Sequence, residues 1–145
     1  MSPTEPLILS TCDARGVVTL TLNRPQAFNA LSEDMLTALQ QTLEAVAQDD
    51  SARVLVIAAA GRAFCAGHDL KEMRAAPAQA YYQTLFKHCS QVMLALQRLR
   101  VPVIARVHGI ATAAGCQLVA MCDLAVAASD ARFAVSGVNL GLFCA

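Results

Sequence analysis

The sequence has no surplus charge of either sign: eleven basic residues balance eleven acidic ones, for a formal net charge of zero. With no basic cluster to drive counterion release, binding to nucleic acid is disfavoured. Long apolar runs are also missing. No stretch approaches the length of a membrane span, and the opening MSPTEPLIL places no basic segment ahead of an apolar one, so neither a membrane anchor nor a secretory leader is expected. These absences point to a water-soluble, cytoplasmic protein. Paired cysteines are lacking as well: the six, at 12, 65, 89, 116, 122 and 144, form no C-x-x-C and stand at no metal-ligand spacing with histidine. Reduced, mostly buried thiols and no metal site are expected.

What is present is apolar. Hydrophobic residues make up 56% of the 145, enough for one ordinary core, so residues 1–145 are expected to form a single domain or part of one. The closing Gly141-Leu142-Phe143-Cys144-Ala145 has no polar tail, whereas natural C-termini usually end in solvent. The expectation is a truncated polypeptide, or an end covered by another chain.

Val17 to Asn23 alternates, with Val18, Leu20 and Leu22 on one face and Val17, Thr19 and Thr21 on the other, which predicts a half-buried strand. Leu7-Ile8-Leu9 ahead of it, joined through Asp13-Ala14-Arg15-Gly16, predicts a hairpin. Ser32 is placed to cap a helix whose first turn carries Glu33 and Asp34, with Leu36, Leu39, Leu43 and Val46 along its buried face. The run Val54-Leu55-Val56-Ile57-Ala58 reads as a parallel strand covered on both faces, and similar runs recur at 103–107 and 124–127. Between them lie helical segments at about 78–99 and 113–121. Strands alternating with helices give an α/β architecture, and the hairpin followed by a helix suggests repeating β-β-α turns. Periodicity alone leaves a spiral and a doubly wound sheet both open.

Two Gly/Ala-rich junctions each follow a predicted strand and precede a predicted helix: Phe64-Cys65-Ala66-Gly67-His68-Asp69-Leu70, and His108-Gly109 through Gly115-Cys116. Such placement leaves backbone N–H groups unsatisfied and accessible, as two donors converging on a thioester oxygen would have to be. Composition alone equally fits tight helix–sheet packing. Neither junction is a dinucleotide or phosphate-loop fingerprint.

Leu22-Asn23-Arg24-Pro25 with Asn29-Ala30-Leu31, then Arg62 through Leu70, then Val107-His108-Gly109 through Cys116-Gln117-Leu118 and Cys122-Asp123, resemble three successive signatures of the crotonase (enoyl-CoA hydratase/isomerase) superfamily. The likeness runs from about residue 7 to residue 141. It implies a spiral of repeated β-β-α turns, truncated here before a C-terminal helical region. It implies a lyase or isomerase of fatty acid metabolism, with a coenzyme A thioester as substrate or ligand and no permanently bound cofactor. A homo-oligomer, trimer or hexamer, is implied for the full-length form. By position, the resemblance assigns the oxyanion-hole N–H groups to Ala66 and Ala114, and coenzyme A contacts to Gln26, Ala27, Phe28 and Ala30 together with Ala66, Gly67, His68, Asp69 and Leu70. Asp69 reads as a helix cap in preference to a catalyst. The stretch from Val135 to Cys144 is most similar to a subgroup described as enoyl-CoA hydratase domain-containing proteins.

The resemblance also exposes a departure. Where hydratases of the family carry two glutamates, this sequence has Gln117 and Gly137, and no Asp or Glu occurs between Glu72 and Asp123 or after Asp130. Hydration has to move protons near neutral pH, and general acids and bases are typically worth about 10²–10⁴ each in rate. Hydration at or near background is therefore expected. His68, His108, Cys116 and Ser136 are the conceivable substitutes; both histidines read more readily as structural, and Ser136 has no identifiable partner base. The alternatives are an enzyme using another proton carrier, and a non-catalytic acyl-CoA binding or assembly protein.

Overall fold

The computed structural model describes residues 5–141. Strand β1 (Ile8–Cys12) turns at Asp13, whose carboxylate accepts the Arg15 and Val17 N–H groups, into β2 (Val17–Leu22). A 3-10 turn at Pro25–Ala27 leads to helix α1 (Glu33–Gln48), capped as predicted by Ser32, whose hydroxyl accepts the Met35 N–H at 3.2 Å. Strand β3 (Val54–Ala59), helices α2 (Leu70–Ala75) and α3 (Gln79–Gln97), and β4 (Val103–Val107) follow. The last described portion holds β5 (Ile110–Thr112), α4 (Ala114–Ala120), β6 (Leu124–Ala127), β7 (Arg132–Ala134) and a 3-10 turn at Ser136–Leu140.

One sheet runs β1-β2-β3-β4-β6, antiparallel at the hairpin and parallel thereafter. A second, parallel pair joins β5 to β7, and single bridges Leu31↔His68 and Cys65↔Ala111 lie outside the named strands. These short pairings link successive turns of the chain, so the second layer advances with each β-β-α unit. The result is the crotonase spiral.

The core fills one side of the larger sheet. Val18, Leu20 and Leu22 of β2, Leu55 and Ile57 of β3, and Val103, Ala105 and Val107 of β4 face Leu36, Leu39 and Leu43 of α1 and Leu85, Val92, Met93 and Leu96 of α3, all buried. Strand β3 departs from expectation: Val54 and Val56 are only half-buried, so its β-branched run is covered fully on one face. The opposite face, with Thr19, Val56, Ile104, Arg106 and Val126, lines an open concavity. The run reads as two-sided because Val and Ile favour strands whether or not helices cover both faces.

Candidate functional site

Three segments far apart in sequence meet at one end of the sheet, and the first is the turn after β2. Phe28 and Asn29 both adopt the left-handed conformation, with φ of 51° and 54°. Asn29 is completely buried and holds the turn: its Oδ1 accepts the Arg24 N–H at 2.8 Å, and its Nδ2 donates to the Ala60 and Ala63 carbonyls at 2.8 and 2.9 Å. The tight turn aims the Phe28 carbonyl at the first Gly/Ala-rich junction.

That aim changes the assignment of the first donor. The Ala66 N–H donates to the Phe28 carbonyl at 3.0 Å, so it is engaged in holding two segments together and is not free to receive an oxyanion. The Gly67 N–H is engaged by the Cys65 sulfur. One residue further on, the His68 N–H has no partner among the described residues, while the Leu31 N–H to Gly67 carbonyl bond and the Asp69 N–H to Leu31 carbonyl bond fix the backbone on either side of it. The free donor is therefore His68 in place of Ala66. Asp69 is the cap expected of it: Oδ1 accepts the Lys71 and Glu72 N–H groups at 2.9 and 3.4 Å, and Oδ2 receives the Arg24 guanidinium at 2.7 Å. Burial raises the Asp69 carboxyl, but the Arg24 bond and the two helix N–H groups outweigh it and hold the group below its ordinary value.

The second junction is pressed against the first. A side-chain carbon added at Gly67, where φ is +88°, would stand 2.9 Å from Ala113 Cβ and 3.2 Å from the Ala114 nitrogen. One added at Gly115 would stand 2.3 Å from the Cys65 carbonyl oxygen, which only glycine tolerates. Backbone bonds complete the seam: Phe64 and Cys65 N–H to the Ile110 carbonyl, and Thr112 N–H to the Cys65 carbonyl. Ala113 sits at φ 51°, ψ −126°, held by its N–H to the Ala134 carbonyl, and hands the chain to α4. The Ala114 N–H, first in that helix, has no partner among the described residues either.

Gln117 lies one turn along α4, half-buried, and Gly137 is buried in the 3-10 turn after β7. β7 runs beside β5, and the Ser136 and Thr112 hydroxyls are 2.7 Å apart, so positions 117 and 137 both flank the Ala113–Ala114 turn. Neither brings a carboxylate there. His108 is structural, its Nε2 lying 2.6 Å from the Gly61 carbonyl. The Cys65 thiol is inert, pushed up to about 12 by burial, with the Gly67 N–H working the other way. No described group of His, Cys, Asp or Glu could hold a metal ion, and no described helix is long and apolar enough to cross a membrane.

The residues matched to coenzyme A contacts divide. Gln26, Phe28 and Leu70 are exposed, whereas Ala30, Gly67 and Asp69 are buried and serve as framework, with Ala27, Ala66 and His68 between. Arg62 lies over the Phe28 ring, 4.7 Å from its centroid, which places a cation beside the exposed turn.

The Enoyl-CoA hydratase/isomerase family profile matches residues 13–145. The chain belongs to the enoyl-CoA hydratase/isomerase family. It is 50% identical over 129 residues to a mitochondrial enoyl-CoA hydratase domain-containing protein 3 from Xenopus laevis, covering 89% of this chain and 44% of the relative. An enoyl-CoA hydratase structure from Mycobacterium smegmatis superposes with a TM-score of 0.95 at 72% identity, covering 97% of this chain and 55% of that one. Human enoyl-CoA hydratase domain-containing protein 3 superposes at 0.89 with 42% identity, over 96% and 55%. The chain thus spans about half the length of the relatives it matches. The likeness to the domain-containing subgroup stands; residues 142–144 of the stretch that suggested it lie outside the described residues.

The sequence reading missed Asn29 as the clamp and His68 as the donor. The cap at Asp69 limited the choice to Ala66, Gly67 and His68, ahead of the helix, without separating them. A cap carboxylate satisfies the first helical N–H groups, so a free amide at this junction has to lie ahead of the helix.

Proposed function

We propose that this family member binds an acyl-CoA thioester, whose carbonyl oxygen accepts hydrogen bonds from the His68 and Ala114 N–H groups. The observation that carries the reading is the pair of unpartnered amides on two backbone segments locked together at Gly67 and Gly115. Donors fixed in advance need no reorganisation as charge develops on that oxygen, and losing one typically costs about 2.7–4 kcal/mol of transition-state stabilisation. The exposed turn at Gln26–Phe28, with Arg62 over the Phe28 ring, is the surface offered to the nucleotide end of the ligand.

Proton transfer is where this chain differs. The Gln117 side chain can orient a water but cannot change its charge state, and Gly137 has no side chain to contribute. The reading supported best is thioester binding and enolate stabilisation with hydration at or near background. A non-catalytic acyl-CoA binder is the second reading, favoured by the same two positions. Exposed Leu124, Val126, Phe133 and Val135 offer apolar surface for homo-oligomeric assembly.

Calorimetric titration with crotonyl-CoA, followed by a hydration assay, tests this. Binding with background turnover is expected. No binding would overturn the site, and robust hydration abolished by neither Gln117→Ala nor His68→Ala would overturn the account of the protons.

A further inference from the structure

We propose that the Thr112 and Ser136 hydroxyls, bonded to each other where β5 and β7 end, are a positioning pair that sets the Ala114 N–H in its place as a thioester donor. The inference rests on the thioester-binding reading, because it concerns how one of the two donors is aimed. Neither hydroxyl touches the thioester in this role. Both act through the backbone that runs from Thr112 to Ala114.

The two donors are held by different means. Bonds to the segment at Leu31 fix the backbone on either side of His68: the Leu31 N–H to the Gly67 carbonyl at 2.8 Å, and the Asp69 N–H to the Leu31 carbonyl at 3.3 Å. Ala114 instead follows Ala113, whose φ of 51° and ψ of −126° persist only under constraint. Just ahead of that residue, Thr112 is gripped twice. Its N–H donates to the Cys65 carbonyl at 3.0 Å, tying it to the first junction, and its hydroxyl meets that of Ser136 at 2.7 Å, tying it to the turn after β7. The β-branch of Thr112 restricts its χ1, so the hydroxyl leaves the strand in a set direction.

The β5–β7 ladder alone is a weak support, with three residues on each side and all three of β7 exposed. Strands so short and exposed open locally at little cost, and the 2.9 Å bond from the Ala113 N–H to the Ala134 carbonyl opens with them. The hydroxyl pair lies one residue before Ala113 and two residues past Ala134, so it closes the ladder at the end where the strained residue sits. Both side chains are partly buried, and the distance between them is that of a well-formed O–H···O bond.

The test compares this chain with Ser136→Ala, Thr112→Val, the double variant and Thr112→Ser, using calorimetric titration with crotonyl-CoA and amide exchange with and without it. Circular dichroism confirms folding. Loss of either hydroxyl should weaken binding by about three- to tenfold, the worth of one hydrogen bond. Crotonyl-CoA should still slow exchange at His68 in these variants but no longer at Ala114. Thr112→Ser keeps the hydroxyl and should restore both affinity and Ala114 protection. The double variant should bind no more weakly than either single one, because both changes remove the same bond. A pair that only stabilised the strands would lower the urea midpoint and leave affinity and Ala114 protection as in the parent. That result, or additive losses in the double variant, would overturn the positioning role and leave thioester binding standing. Failure of the unmodified chain to bind crotonyl-CoA would overturn both readings. Should Thr112→Val not fold, the outcome is read from Ser136→Ala.

Discussion

At Ala113 the backbone is held in a region that side-chain-bearing residues seldom occupy, with φ 51° and ψ −126°. Such conformations cost about 1–3 kcal/mol and survive only where neighbours over-determine them, here the Ala134 carbonyl on one side and the Gly67 contact on the other. Ala113→Gly relieves the strain and loses about 0.4–1 kcal/mol through the freer unfolded chain. We expect a net gain of about 1 kcal/mol, read as a higher urea midpoint at unchanged slope. Gln117 supports a prediction of opposite kind. It occupies the helix position where hydratases of the family carry a carboxylate, and Gln117→Glu would restore a group able to change protonation state. Hydration of crotonyl-CoA should rise by about 10²-fold, the lower end of what one general acid or base contributes. No change in turnover would mean that position 117 does not address the thioester. At this scale the sequence was informative where a side chain was absent and misleading where a backbone amide mattered. The missing carboxylates can be read off directly, whereas which of three consecutive N–H groups is free depends on Phe28 adopting the left-handed conformation, which no local pattern announces.

Among the elements, those governed by local rules were legible. The hairpin, the Ser32 cap and the buried stripe of α1 follow from alternation, capping chemistry and helical spacing, and the strands at 103–107 and 124–127 from short continuous apolar runs. The elements that escaped are β5 and β7, only three residues each, whose existence depends on pairing with each other and whose side chains in β7 are exposed. Three residues are too few to establish a period, so Ile110–Thr112 read as part of a loop. The seam between the two junctions gives the prediction at this level. Gly115→Ala would drive a methyl group to within 2.3 Å of the Cys65 carbonyl, which is backbone and cannot rotate aside. Helix α4 would have to lift away, costing about 1–3 kcal/mol as overpacking does, and carrying the Ala114 N–H with it. A lower urea midpoint together with weakened thioester binding is expected; a variant as stable as the parent and binding equally well would show that the seam does not set the donor geometry.

For the whole molecule, the spiral makes stability and site depend on one another, because the short pairings at Leu31, His68, Cys65, Ala111 and β7 both link the turns and shape the donors. The spiral was not legible from periodicity, which described each strand and left open how successive units stack; the resemblance supplied what spacing could not. Acid sensitivity follows from two neighbouring groups. His68 has its imidazole pKa lowered from 6.5 by burial, so the unfolded chain takes up a proton that the folded one resists. Its contribution is complete above pH 6.5 and is lost as pH falls from there toward the lowered folded value. Asp69, held below its ordinary 3.8, adds stability that is present above that value and is lost only as pH falls through the lower one. Urea midpoints measured from pH 7.5 to 3 should therefore decline in two stages, and His68→Phe should remove the upper one alone. Amide exchange probes the same architecture without denaturing it. The Leu31, Ala66 and Thr112 amides are bonded across the seam and should exchange slowly, whereas those of His68 and Ala114, lying between them in the same rigid backbone, should exchange much faster. Crotonyl-CoA should slow these two in particular. If His68 and Ala114 are as protected as their neighbours before any ligand is added, the two amides are not free donors and the chemistry built on them fails.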